Sequence, residues 1–297
     1  MAPSVVRPVG PESPDRPHPI TGAAAAPRTG WSCPACRASH PLALAREQCF
    51  VCPTCAHHTR IGAHQRIAQL ADPGSFREWD QDLAGHDRLG FVDTRPYRDR
   101  LAEAQSRHQL PDALLSGAAR MGGHAVGLAA FDFHFMGGSL SAAVGERLAR
   151  AAERCAASRT PFVCVTTSGG ARMQEGVFSL LQMAKSVAAL HTLAEAHMPF
   201  ISILADPTMG GSIASFAALG DVIVAEPRAT IGFTGARVIA QVTHEELPPG
   251  FQTSEFHHAR GLIDAVVDRR ELRPCVVGLL RVLAAPPGRA GAGATAA

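Results

Sequence analysis

Residues Phe162 to Gly211, FVCVTTSGGARMQEGVFSLLQMAKSVAALHTLAEAHMPFISILADPTMGG, restrict the fold more than any other part of the chain. An apolar, β-branched run from Phe162 to Thr167 breaks on Ser168-Gly169-Gly170. A helical pattern then carries apolar residues at Val177, Leu180, Leu181, Ala184, Val187 and Ala188. A second apolar run, Phe200 to Leu204, leads through Asp206-Pro207 to Gly210-Gly211. A short buried strand, a glycine turn and a helix start form one unit, and the unit appears twice. It occurs a third time where His124 to Phe135 stops on Met136-Gly137-Gly138-Ser139 and a helix follows from Leu140 to Ala157. A fourth unit joins Asp221–Pro227 and Thr230–Gly235 to a helix from Ala236, and Ile263 to Arg269 reads as a short strand before a last helix. Residues 62–116 read as polar and helical, broken at Asp72-Pro73-Gly74 and Thr94-Arg95-Pro96, with an exposed helix from Tyr97 to His108. Strands alternating with helices argue an α/β class. The close spacing of Val222–Ala225 and Thr230–Phe233 does not fit a doubly wound sheet and points to ββα units stacked into a spiral. No phosphate-binding GxxxxGK[ST] or GxGxxG fingerprint is present.

The layout has a chemical use. A helix start leaves N–H groups unpaired and its dipole favours negative charge. Glycine pairs bring such donors close to a ligand with no Cβ in the way. Each turn therefore suits an oxyanion; the plainer alternative is a pair of tight connections. Side-chain catalysts are less persuasive. Ser168 stands on a turn but lacks the G-x-S-x-G elbow. Asp206 and Glu175 suit a base or, more commonly, a cap or loop anchor, and Arg172 suits either an anionic ligand or a helix end. His191 and His197 have no assignable partner. Backbone donors without a catalytic dyad suit enolate chemistry on a thioester, where two N–H groups hold the enolate oxygen.

The cysteines mark a second unit. Five of eight lie between Cys33 and Cys55, and CPAC (Cys33, Cys36) and CPTC (Cys52, Cys55) are separated by residues 37–51. Two such knuckles match a tetrahedral four-thiolate site with one Zn2+ per chain, a usage of reducing compartments. Cys49 and Cys52 share the C-x2-C spacing, but the second Cys-Pro-x-Cys repeats the form of the first, which leaves Cys49 as a packed or free thiol. A module this small cannot build its own core, so the metal would supply its folding energy. His57, His58, Arg60, His64 and Arg66 follow it as a basic run. They suit nucleic acid as a secondary partner or, more simply, packing against the larger domain.

A chain of 297 residues with 46% hydrophobic and 18% charged residues has enough apolar material for one large core plus a small module. A formal net charge of +2 is no nucleic-acid-like excess. No continuous run of about 18 apolar residues occurs, so no membrane span is expected. The N-terminus lacks the pattern of a signal peptide, and a cytoplasmic location is expected. The expected organisation is a disordered arm (1–29), a zinc ribbon (30–61), a main domain (62–284) and a disordered tail (285–297).

The blocks SGGARMQEG (Ser168–Gly176), LADPTMGGSIASFAALGD (Leu204–Asp221), VAEP (Val224–Pro227), IGFTGARVI (Ile231–Ile239) and LPPGFQTSEF (Leu247–Phe256) resemble, in order, the β subunits of bacterial acetyl-CoA carboxylase carboxyltransferase. FMGGSLSAAVGE (Phe135–Glu146) and the four-cysteine ribbon belong to the same pattern, and the resemblance spans roughly residues 30–284. It implies a crotonase-like (ClpP-like) spiral of ββα units with an N-terminal zinc ribbon. It implies transfer of a carboxyl group from carboxybiotin, held on a separate biotin carboxyl carrier protein charged by biotin carboxylase, to acetyl-CoA, giving malonyl-CoA. An α subunit of similar fold would complete an α2β2 assembly. By the same resemblance Gly210 and Gly211 provide the oxyanion site, and Ser168, Gly169, Gly170, Ala171 and Arg172 line the thioester end of the coenzyme A site. The alternatives are a carboxyltransferase or decarboxylase subunit for another acyl-CoA in a secondary pathway, or a zinc-ribbon nucleic-acid-binding regulator. The sequence departs from the family pattern at Arg37 and Ala56, where glycine often follows each knuckle, and at Thr234 and Ala236, where alanine and proline are common.

Overall fold

The computed structural model describes residues 30–244 and 247–283, so the expected arm (1–29) and tail (285–297) lie outside the described residues. The ribbon opens with β1 (Gly30–Ser32) paired antiparallel to β2 (Ser39–Pro41), followed by α1 (Leu42–Glu47). The main domain continues with α2 (Ala63–Leu70), β3 (Arg77–Glu78), α3 (Tyr97–His108), β4 (Leu114–Met121), β5 (His124–Phe131), α4 (Ala142–Ser158) and β6 (Phe162–Ser168). Next come α5 (Val177–Glu195), β7 (Phe200–Met209), β8 (Val222–Ala225), β9 (Ile231–Gly232), α6 (Ala236–Thr243), α7 (Ser254–His258), β10 (Ala265–Val266) and α8 (Leu272–Leu283).

The large sheet runs β10-β8-β7-β6-β5-β4-β3. Pairing is parallel from β5 to β10 and antiparallel from β5 to β3. On the edge opposite β6, β7 serves two neighbours: its first half pairs with β8 (Ile201↔Val222 to Leu204↔Ala225), and its far end pairs with β9 (Thr208↔Ile231, Met209↔Gly232). A short strand beside each half of one long strand is what the close spacing of the fourth unit demanded. The core lies in this sheet and the helices on it: Phe162, Val163, Ile201, Ile203, Leu204 and Val224 are fully buried.

Two expectations need correction. Residues 62–116 are not uniformly helical, because β4 begins at Leu114 and forms a hairpin with β5 through Gly122-Gly123 (φ 56° and 84°). Ser116, Gly117, Ala118 and Ala119 lack the branched side chains that mark strands. Pairing with β5 makes the strand, and Gly117 is there because a Cβ would lie 2.2 Å from the Arg77 carbonyl oxygen. The helix α3 is also less exposed than its composition suggested, since Tyr97, Leu101 and Ala104 are buried.

The second correction concerns α5. The six apolar residues that define its pattern, Val177, Leu180, Leu181, Ala184, Val187 and Ala188, are the ones it leaves exposed. It buries Ser179, Gln182, Ser186, Ala189, Leu190 and Leu193. Small residues allow close approach to α4, where Gly145 faces Gln182: a Cβ on Gly145 would lie 2.3 Å from the Gln182 amide oxygen. By length and composition alone α5 is apolar enough to cross a membrane, yet its inner face packs on α4.

The ribbon is held by Arg269, which an ion pair with Glu226 fixes in place. Glu226, buried beneath it, accepts from Arg66 (2.5 Å) and from Arg269 (2.7 and 2.5 Å). Arg269 also donates to the carbonyls of Cys49 (3.2 Å) and Thr59 (2.6 Å). Burial disfavours the Glu226 charge, but the two guanidinium groups outweigh that cost and hold its pKa well below the usual range.

Candidate active site

The glycine turns meet at the C-terminal ends of β6 and β7. Strand register brings them there, because Ser168 is paired with Thr208. A Cβ on Gly170 (φ 106°) would lie 3.2 Å from both Gly210 Cα and Gly211 N. A Cβ on Gly210 (φ 61°) would lie 3.1 Å from Gly170 Cα. Side chains at these positions would drive the turns apart, so glycine is required by contact as well as by backbone angle. The third turn sits alongside: Gly137 accepts from Gly169 N–H at 2.8 Å, and a Cβ on Gly138 would lie 2.1 Å from the Thr167 carbonyl oxygen.

The first turn is bonded mostly to the protein. Ser168 is fully buried, its Oγ accepting from Gly170 N–H at 3.1 Å and from Ser212 Oγ at 2.8 Å. It is therefore a brace between the turns. Arg172 points into the core, where its guanidinium forks onto Asp112 (2.6 and 3.1 Å) and donates to Tyr97 Oη (3.1 Å), Ser139 Oγ (2.8 Å) and the Ser139 carbonyl (3.1 Å). Burial works against its charge, but Asp112 and Tyr97 outweigh that and raise its pKa. Its backbone N–H is bonded to the Leu140 carbonyl at 3.0 Å. Ala171, between Gly170 and Arg172, differs: its N–H has no partner among the described residues.

The second turn keeps more of its donors. Gly210 N–H is directed at the carbonyls of Gly232 (3.0 Å) and Phe233 (3.1 Å), so that amide is engaged. Gly211, Ser212 and Ile213 follow as the opening of a helical turn closed by Ala214 N–H to the Gly210 carbonyl at 3.1 Å. Their amides have no partner among the described residues. Gly211 is buried, and unpaired buried donors are uncommon. A Cβ there would lie 3.6 Å from Ala171 N and 2.7 Å from Met183 Sδ. Two unpaired amides, Gly211 and Ala171, thus stand on facing turns.

The carboxylates near the turns have structural duties. Glu175 accepts from Tyr97 Oη and from Ala142 N–H at the start of α4, both at 2.7 Å. Asp206 accepts from Arg60 and from Thr230 N–H. His134 Nδ1 lies 3.1 Å from the buried Asp132 carboxylate on the segment that leads into the Gly137 turn, and Asp132 also accepts from the His134 and Ala63 N–H groups. His191 is exposed beside Glu195 on α5.

The ribbon brings Cys33, Cys36, Cys52 and Cys55 together, their sulfurs all within 4.8 Å of one another. Cys33–Cys55 and Cys36–Cys52 are each 3.7 Å apart. A tetrahedral ion with metal–sulfur bonds of about 2.3 Å requires edges of about 3.8 Å, so the donor set fits zinc in chemistry and size. Cys49 is outside the group. Burial opposes charge on Cys52, but N–H groups of Cys55 and Thr54 outweigh it and lower that thiol to about 6. At Cys55 the His57 amide lowers the pKa, while burial and the neighbouring sulfurs push it up to about 12. Arg37 and Ala56, in the positions where the family carries glycine, have φ of 61° and 55°. Of the basic run, His58, Arg60 and Arg66 face the carboxylates of Asp268, Asp206 and Glu226, which removes most of a nucleic-acid footprint.

The sequence pattern of the carboxyl transferase domain family matches residues 58–259. The acetyl-coenzyme A carboxylase carboxyl transferase subunit beta of Gloeobacter violaceus is 48% identical over 253 residues, covering 85% of this chain and 83% of that protein. The corresponding subunit of Thermus thermophilus is 48% identical over 268 residues, covering 90% and 94%. Among solved structures, transcarboxylase 12S with methylmalonyl-coenzyme A bound superposes with a TM-score of 0.63 at 28% identity, over 74% of this chain and 41% of that one. A Pseudomonas malonate decarboxylase hetero-tetramer gives a TM-score of 0.62 at 27% identity, over 75% and 82%. Fold and site together define a crotonase-like carboxyltransferase, and the chain belongs to the carboxyl transferase family. Within that family it is an acetyl-CoA carboxylase carboxyltransferase subunit of the β type, an enzyme subunit.

Proposed function

We propose that the Gly211 amide, with Ala171 beside it, stabilises the enolate oxygen of acetyl-CoA while the carboxyl group of carboxybiotin is transferred to form malonyl-CoA. The observation that carries this reading is the pair of facing turns whose Gly211 and Ala171 N–H groups have no partner among the described residues. In the reaction the N–CO2 bond breaks, the α-carbon loses a proton and forms the new C–C bond, and the freed ureido nitrogen takes that proton. With the ureido nitrogen taking the proton, this reading assigns no residue of the chain as the base. The residues contribute donors in fixed positions, braced by the buried Ser212–Ser168 hydrogen bond. Gly210 supports this arrangement through its bonds to Gly232 and Phe233. The Ser168–Arg172 turn lines the coenzyme A site through its backbone, with Arg172 anchoring it from inside.

We place one zinc ion on Cys33, Cys36, Cys52 and Cys55, where it supplies folding energy to residues 30–61 and takes no part in transfer. Residues 62–284 form the transferase domain, working in the cytoplasm. The α subunit covers the exposed face of α5, where Val177, Leu180 and Leu181 are each more than half exposed (59%, 52% and 57%). A contiguous apolar face of this kind marks an interaction surface. A Saccharopolyspora erythraea relative, 50% identical over 253 residues that make up 44% of its length, carries beta and alpha subunits in one chain. The carrier protein and biotin carboxylase complete the assembly. Thr234, which departs from the family pattern, borders a groove of about 400 Å³ lined by Phe233, Val238, Val242 and Gln252, and with Ala236 it bears on acyl preference or on partner fit.

The test is reconstitution. The chain alone should transfer little carboxyl group, and its α partner should restore transfer from carboxybiotin, with acetyl-CoA preferred over propionyl- and butyryl-CoA. Absence of transfer by a verified α2β2 complex would refute the reading.

A further inference from the structure

The contacts left unexplained by the reaction concentrate where the ribbon ends. Arg60 Nε and Nη2 both donate to Asp206 Oδ2, at 3.2 and 3.0 Å. The same guanidinium lies 4.4 Å from the centre of the Phe133 ring. Each partner stands four residues before a glycine turn, Asp206 before Gly210 and Phe133 before Gly137. Asp206 extends the connection. Its Oδ1 accepts from Thr230 N–H at 3.0 Å, and its carbonyl accepts from Thr167 Oγ1 at 3.0 Å. Thr167 directly precedes the Ser168 turn, and the Thr230 carbonyl accepts from Thr208 N–H at 2.8 Å. Three residues further along, Ala63 N–H donates to Asp132 Oδ2 at 3.0 Å, which fixes the ribbon's exit to the loop that carries Phe133. One arginine of the ribbon therefore grips the approaches to two glycine turns directly and reaches the approach to the third through the Asp206 carbonyl, without touching a turn itself.

We propose that Arg60 is a positioning residue for carboxyl transfer: by holding Asp206 and Phe133 it sets the separation of the Gly210, Ser168 and Gly137 turns, making the folded ribbon part of the active-site geometry. The proposal rests on the reading that Gly211 is an oxyanion donor. The Arg60 and Asp206 side chains are 45% and 30% exposed, and such a pair adds little to global stability. Its contribution is geometric. A donor displaced by a fraction of an ångström loses the transition state while ground-state binding persists. This also gives the four-cysteine cluster a consequence for the reaction: without a bound metal the ribbon unfolds and releases Asp206.

The experiment compares Arg60→Met, Arg60→Lys and the distant surface variant Arg107→Ala, each in the reconstituted, zinc-loaded complex. Kinetics and amide hydrogen exchange of the peptide spanning residues 206–216 are both measured. Arg60→Met should lower kcat about tenfold or more while the KM for acetyl-CoA stays within about twofold. Arg60→Lys should recover part of the loss, and Arg107→Ala should match the wild type. Metal content should be unchanged, and melting should shift by no more than about 4 °C. Exchange across residues 206–216 should accelerate in Arg60→Met. Wild-type kcat or unchanged exchange in Arg60→Met overturns the proposal. So does a matched loss of melting temperature, metal and KM, which marks general unfolding. If exchange accelerates but no complex, wild type included, transfers a carboxyl group, Arg60 still holds residues 206–216 in place, and the carboxyl-transfer reading of the site falls together with the catalytic part of the proposal.

Discussion

The Ser168–Arg172 and Gly210–Ile213 turns share a sequence form and a place in the fold, yet they differ in what they leave unbonded. Among the described residues, Ser168, Gly169, Gly170 and Arg172 of the first turn all bond within the protein, whereas the Ala171 N–H has no partner. At the second, Gly210 is engaged while the Gly211, Ser212 and Ile213 N–H groups have no partner among the same residues. The difference arises from the segment that each turn leads into. After Ser168 the chain makes an isolated bridge with Leu140 and a buried ion pair with Asp112 before α5 begins. After Gly210 it enters a helical turn directly, and the first donors of such a turn have no internal acceptor. A strand–glycine–helix pattern therefore marks where donors are available, and the neighbouring contacts decide which remain so.

The contrast is broken most severely at Arg172. Arg172→Leu should cost about 3–5 kcal/mol, because it strands the fully buried Asp112 carboxylate. Urea denaturation should show this loss, and what remains folded should keep its KM for acetyl-CoA; a raised KM with intact stability would return Arg172 to the ligand site. At the other turn the expected defect is catalytic. Gly211→Val covers the Ala171 and Gly211 amides and presses on Met183, so kcat should fall about 10²- to 10³-fold with assembly intact. Near-normal turnover would mean that neither amide serves the reaction.

Gly170→Ala sharpens the comparison because it tests the contact between the turns. The left-handed φ of 106° and a Cβ 3.2 Å from Gly210 Cα predict a loss of roughly 1–3 kcal/mol together with slower transfer. Stability lost without any change in rate would uncouple the turns. The smallest effect belongs to the ribbon knuckles, where a non-glycine residue occupies a left-handed position. Arg37→Gly and Ala56→Gly should each stabilise the zinc-bound ribbon by about 1 kcal/mol, read as resistance to chelator-driven metal loss.

Several features were legible because they follow from local rules. The Cys-Pro-x-Cys knuckles placed four sulfurs together, as thiolate spacing around one ion requires. The apolar runs that became β6 and β7 were recognisable from branched residues, and the glycine pairs from the breaks after them. Other features were hidden for equally physical reasons. Strand β4 has a sequence that forms no strand until β5 pairs with it. The pattern on α5 located a helix correctly but gave no sign of which face the core would take, because Gly145 and the small residues on α4 accept a close-packed polar face.

From the sequence alone came the α/β alternation and the thiolate cluster, since each depends on residues near one another in the chain. Tertiary structure decided the direction of the Arg172 guanidinium, the engagement of Gly210, the freedom of Gly211 and Ala171, and the grip of Arg60 on Asp206. Those outcomes depend on donors and acceptors distant in sequence, and a hydrogen bond exists only once folding has placed both of its ends.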